Sequence, residues 1–130
     1  MCEPGWAEPT WTPPHKHAPR KSKPWYEVRE STDKGDKVAI YHNSLEDEDI
    51  KAIEMSYRAS GVIYVGGQKY KTTSKRWKTA DSKHTYVITV DGLHVGASLG
   101  TDTSTVRVFR DRCGPVHGHP ILERELQHKK

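Results

Sequence analysis

At 130 residues the chain has room for one domain and one hydrophobic core. Leu, Ile, Val and Phe number only 22, none before Val28, but the net charge is a modest +4, which excludes a wholly disordered polyelectrolyte. No apolar run approaches the ~18 residues of a membrane span, the start Met1-Cys2-Glu3-Pro4 has no secretory apolar core, and two cysteines, Cys2 and Cys113, are too few for a disulfide framework. A cytoplasmic, reducing location is therefore expected (host cytoplasm for a viral chain).

Residues 1–24 hold six of the eight prolines, together with Trp6 and Trp11, and Trp25 follows directly. Proline removes backbone donors and biases its predecessor toward extended geometry. An extended, basic Pro/Trp-rich arm is expected here, with its rings docked on some surface because linkers are poor in aromatics. A single α+β domain over 25–122 and a charged tail over 123–130 complete the expected organisation.

In the body, Trp25–Glu30 reads as a first strand, Ser31–Asp36 as a turn and Lys37–His42 as the return strand. Ser44–Arg58 reads as the main helix. Ser44 is its expected N-cap and Asp47 its N3 residue, Leu45, Ile50, Ile53 and Tyr57 lie near one face, and Gly61 is the stop. The acidic run Glu46–Asp49 suits the positive end of the helix dipole better than a metal. Beyond it the pattern is β. Val62–Val65 and Gln68–Lys71 flank Gly66-Gly67 as a two-residue hairpin, and Thr72–Lys83 reads as a long basic connection. Thr85–Val90 and Leu93–Ala97 around Asp91-Gly92 give the sharpest hairpin signal in the chain. Thr105–Phe109 supplies a further strand and Ile121–Gln127 a short terminal helix. The expected fold is thus an antiparallel sheet of about 5–7 strands with one main helix packed on a face.

Two segments carry chemistry. Lys69, Lys71, Lys75, Arg76, Lys78 and Lys83 face Asp81 alone, a local excess of +5 (six cations less one anion) that exceeds the charge of the whole chain. Tyr70 and Trp77 interleave stacking rings, while Lys21 and Lys23 of the arm, with Lys16 and Arg20, add cations. That combination suits phosphate contact and base stacking. The second segment is Cys113-Gly-Pro-Val-His117-Gly-His119, whose Cys113, His117 and His119 are a weak zinc set lacking paired Cys-x2-Cys spacing. With Arg107, Arg110 and Arg112 nearby, the two histidines also supply the acid–base and cationic groups of a metal-independent nuclease. A helix placed before an antiparallel sheet resembles the barnase-like ribonucleases in architecture, with no motif residue matching one to one.

No phosphate-loop, dinucleotide, nucleophile-elbow or His-Glu-x-x-His motif is present, so nucleotide-dependent and serine-hydrolase chemistry is disfavoured. The leading expectation is a small non-enzymatic protein that binds RNA or DNA through the phosphate backbone and needs no cofactor. The alternatives are a nuclease, barnase-like or metal-assisted, using His117 and His119, and a viral or mobile-element adaptor whose arm docks on a protein partner. No membrane association is expected.

Overall fold

The computed structural model describes residues 6–34, 38–79 and 83–127, and two β-sheets carry most of their regular structure. In chain order these are β1 (Thr10–Trp11), a 3-10 turn (His15–His17), α1 (Trp25–Ser31), β2 (Ile40–Tyr41) and α2 (Asp47–Met55) with a 3-10 extension (Ser56–Arg58). There follow β3 (Gly61–Val65), β4 (Gln68–Thr79), β5 (Lys83–Val90), β6 (Gly96–Ser98), β7 (Thr101–Thr103), β8 (Thr105–Asp111), β9 (Pro115–Pro120) and α3 (Glu123–Gln127). The larger sheet runs β1-β9-β8-β5-β4-β3 and the smaller β2-β6-β7. Helices and sheets do share the chain, as expected. The architecture is nevertheless mostly β, divided over two sheets, and β1 pairs β9 in parallel, so the larger sheet is mixed.

The first expected strand is a helix. Pro24 is its N-cap in extended geometry (φ −61°, ψ 147°), where a missing N–H costs nothing, and Glu27 stands in the first turn. Helical spacing puts Trp25 and Arg29 on one face. Both donate to Asp102, from Trp25 Nε1 at 2.9 Å and Arg29 Nη1 at 3.1 Å. Tertiary bonds thus override the β propensity of Trp-Tyr-x-Val. The expected return strand shrinks to Ile40–Tyr41, which pairs β6 instead. Residues 35–37 of the expected turn and strand lie outside the described residues.

α2 starts later than its sequence suggests. Glu46, not Ser44, is the N-cap, and a capping box joins it to Asp49 at N3, with Glu46 N–H donating to Asp49 Oδ2 at 2.9 Å. Two acidic residues of the run are therefore occupied as caps. Gly61 opens β3 rather than ending the helix, which closes through Ser56 and the 3-10 turn.

The Gly66-Gly67 hairpin forms as expected, with both glycines at positive φ (57° and 83°). The Asp91-Gly92 hairpin does not. Only Gly92 takes positive φ, so a type I′ turn is not made, and the chain crosses to the second sheet, where β6 pairs β2 and β7. Nor is 72–79 a loop: β4 continues to Thr79 and pairs β5 from Thr72↔Val90 to Thr79↔His84, with a bulge between Arg76 and Lys78, while residues 80–82 of the expected connection lie outside the described residues.

The core lies between α2 and one face of the larger sheet. Leu45, Ile50, Ile53 and Tyr57 meet Val65, Ile88, Val90, Val106, Val108 and Val116, and Tyr41 and Val95 join them. Gly118 permits the close approach, since a Cβ there would stand 2.5 Å from the Arg107 carbonyl and 3.3 Å from Glu54 Oε2. Within this core Glu54 is fully buried. Its Oε2 accepts the Tyr41 hydroxyl at 2.6 Å and its Oε1 accepts Trp11 Nε1–H at 2.9 Å. Burial outweighs both hydrogen bonds and pushes the Glu54 carboxyl up to about 7; the same burial, with Glu54 beside it, raises the Tyr41 phenol well above its usual value.

Part of the N-terminal arm is thereby tied into the sheet. β1 aligns Thr10 with Pro115 and Trp11 with Val116, and Trp11 packs against the core. Cys113 is disulfide-bonded, which the expected reducing location does not favour; the sequence has one other cysteine, Cys2, which lies outside the described residues. No helix of the described residues is long and apolar enough to cross a membrane.

Candidate nucleic-acid interface

Strand alternation sorts the basic segment onto two faces. Tyr70, Thr72 and Ser74 point toward the core side, where Thr72 is buried and Ser74 Oγ donates to the Tyr57 carbonyl at 2.6 Å. Lys69, Lys71, Thr73 and Lys75 point the other way and are exposed. Arg76 continues the core-side row, opposite Tyr86, and the bulge follows it, so that Lys78 rather than Trp77 stands opposite Thr85.

The register carries the outer face across four strands. Lys75 neighbours Val87, Val87 neighbours Arg107, and Arg107 neighbours His119. One row along, Thr85 neighbours Phe109 and Phe109 neighbours His117, with Lys83 beside Asp111 at the end of the sheet. Phe109 is the hub. The Arg107 guanidinium lies 4.8 Å and Lys83 Nζ 5.0 Å from its ring centre, and the His117 and His119 rings lie at 5.3 and 6.0 Å. Arg107 Nε is buried without a hydrogen-bond partner. His17, from the 3-10 turn of the arm, stacks on His119 at 4.9 Å.

These imidazoles are held neutral near pH 7. Burial takes His119 down to about 4, and burial followed by the charge of Lys83 lowers His117. His17 is lowered mainly by burial. Permanent positive charge on this face therefore comes from Lys69, Lys71, Lys75, Lys83 and Arg107, while Asp111 and Glu125 are carboxylates at its borders.

Other expected site residues fall elsewhere. Arg76 and Arg110 belong to the core-side face, beyond the end of the core. Arg76 sits over the Tyr86 ring at 5.6 Å, and Arg110, nearly buried, lies over Trp6 at 5.4 Å and donates to the carbonyls of Ala7 and Asp111. His84 stacks on Trp6 there, at 4.2 Å. The sheet thus separates Arg110 from His117 and His119. Arg112 lies in the turn joining β8 to β9, where its carbonyl accepts the Ala7 N–H.

Lys21 pairs with Glu46 at 3.2 Å and donates to the Asn43 carbonyl, and Lys23 accepts from Asn43 through its own carbonyl. Both lie by the entry to α2, away from β4, so arm and strand do not pool their charge as expected. Tyr70 turns inward. Trp77 is half-buried at the bulge, its indole N–H without a hydrogen-bond partner, and the side chain of Lys78 lies outside the described residues.

The zinc candidates are not assembled either. The sulfur of Cys113 is committed to its disulfide, leaving His117 and His119 as a pair, and no group of three or more metal-ligating side chains occurs among the described residues. Phe109 receives no role from the sequence, and Arg107 only one within the nuclease reading. The signal that could have found them is the period-2 pattern Arg107-Val-Phe109, once its odd positions are known to face outward. Comparison with protein-family models, curated proteins and solved structures returns no match.

Proposed function

We propose that this protein binds nucleic acid through the outer face of its larger sheet, without catalysing a reaction. One observation carries the reading: Lys69, Lys71 and Lys75 of β4 share one sheet face with Lys83 and Arg107, whose charged groups lie at the Phe109 ring. Lysines two apart on β4 recur about 6.8 Å along the strand, so they can follow a phosphate chain, and a ring amid cations offers stacking to an unpaired base. Arg107, resting on Phe109, is the strongest candidate for a charge-assisted bond to phosphate.

The same titration tests the reading and its enzymatic rival. Labelled single-stranded RNA and DNA are titrated at several salt concentrations, and the recovered oligonucleotide is checked for cleavage. The expected outcome is affinity that falls log-linearly with salt, with a slope reduced by roughly 0.7 for each phosphate contact removed in Lys71→Glu or Lys75→Glu. A flat salt response, or one that these variants leave unaltered, overturns the proposal. Cleavage lost in His117→Ala would instead favour the nuclease. Against that rival stand Arg110 on the opposite face and His119 enclosed between His17 and Phe109. For an adaptor, Trp11 is engaged by Glu54 within the fold, while Trp6, stacked on His84, keeps an exposed face.

A further inference from the structure

β3 ends the larger sheet and has no strand beyond it among the described residues. The hydrogen-bonding phase of that free edge follows from the hairpin. A two-residue loop closes on a hydrogen-bonded pair, here Val65 and Gln68, so the alternating pairs Ile63↔Tyr70 and Gly61↔Thr72 are bonded likewise. Val62 and Tyr64 therefore direct their N–H and C=O groups away from β4, to the open side. Their side chains are also the most exposed apolar groups of the sheet, at 47% and 64%.

Gly-Val-Ile-Tyr-Val carries no charge, proline or bulge, the devices that ordinarily blunt an edge. Its ends are fixed, with Gly61 N–H donating to Thr72 Oγ1 at 3.2 Å and Gly66 N–H to Asp49 Oδ1 at 3.1 Å. An uncharged edge held rigid in this way is preorganised for pairing.

We infer that β3 pairs antiparallel with β3 of a second copy of this chain, with Ile63 on the two-fold axis. That register is the self-complementary one. It sets Val62 opposite Tyr64 of the other copy, and Tyr64 opposite its Val62, as two bonded pairs that satisfy all eight outward N–H and C=O groups of the two edges. Each exposed Tyr64 ring then covers an exposed Val62, an aromatic–β-branched cross-strand pair. Ile63 meets its own copy on the other face, next to the groove formed with Ala52, Met55, Arg58 and Ala59. Centring on Val62 or Tyr64 instead leaves one of the two edge residues facing Ser60 or Gly66, beyond the apolar pairing. Charge agrees with the choice: the strand is neutral, and Lys69 and Lys71 stand one strand back, so pairing opposes no cations directly. The two outer faces would join into one continuous sheet surface.

The inference does not rest on nucleic-acid binding, and its test uses none. The full chain is measured by sedimentation equilibrium over a range of micromolar concentrations. The expected result is a mass that rises toward twice the 14.8 kDa of one chain and returns to one chain in Val62→Lys and Tyr64→Lys, with circular dichroism unchanged. An independent variant fixes the register: Ile63→Cys should cross-link to itself on mild oxidation, since a non-bonded antiparallel pair brings Cα atoms to about 4.5 Å, whereas Val62→Cys or Tyr64→Cys alone should not. A mass of one chain at every concentration, a dimer untouched by the lysine variants, or cross-linking at Val62 or Tyr64 rather than at Ile63 each overturns it. In the first case, an extended peptide of another protein would be the remaining occupant for this edge.

Discussion

The two faces of β4 and β5 are made from the same stretch of chain and have opposite characters. Toward α2 the strands present Thr72, Ser74, Ile88 and Val90, all buried or half-buried; toward solvent they present Lys69, Lys71, Thr73 and Lys75. A basic run in the sequence is thus no basic loop but a half-buried strand whose Lys69, Lys71 and Lys75 fall on alternate positions, while Arg76 faces the other side. The difference shows why a charge count along the chain misjudges a binding surface. Alternation discards every second residue, and the register then recruits Lys83, Arg107 and Phe109 from strands that the count does not include.

Substitutions that separate the faces should behave differently, and the core side should give the largest effect. Ile88 is fully buried in the main cluster. Ile88→Ala is expected to cost about 2–5 kcal/mol through lost transfer energy and the cavity left behind, read as a lower urea midpoint with an unaltered slope. A cost under 1 kcal/mol would mean that α2 does not seal this face.

Next in size is the buried carboxylate on the same side. The folded value of Glu54, about 7, lies above its ordinary 4.5, so its contribution is fully present below pH 4.5 and is lost as pH rises through 7. The displacement corresponds to about 3 kcal/mol. Denaturation measured from pH 4 to pH 8 should therefore show the wild type losing stability relative to Glu54→Gln over that window. Parallel curves for the two proteins would mean that the carboxyl is not held in this environment.

How far the sequence reveals this arrangement depends on the range of the interactions involved. The Gly66-Gly67 hairpin and the helix around Ile50 and Ile53 are legible because their determinants lie within a few residues. α1 is not, because what selects helix over strand at Trp25 is Asp102, 77 positions away. The Asp91-Gly92 segment fails for a related reason. Its local turn chemistry is sound, but β8 takes the place beside β5 that the expected partner strand would have filled, and residues 96–98 pair with β2. The candidate surface was half legible: Lys69, Lys71 and Lys75 are visible as a basic run. Phe109 and Arg107 become part of it only through the long-range pairing of β5 with β8.

The smallest effect on stability is expected where the effect on binding is proposed to be largest. Lys71 and Lys75 are exposed on the outer face and enter no ion pair among the described residues. Lys71→Ala and Lys75→Ala should accordingly change stability by no more than about 0.5 kcal/mol. A stabilising shift would be the more instructive result, because it would measure the mutual repulsion that these cations bear in the free protein. Such repulsion is relieved when a polyanion lies across them. Melting the two variants at low and high salt distinguishes the cases: strain from like charges vanishes as salt screens it, whereas a shift that persists at high salt would belong to the strand's packing. The outer face would then be structural in the same sense as the inner one.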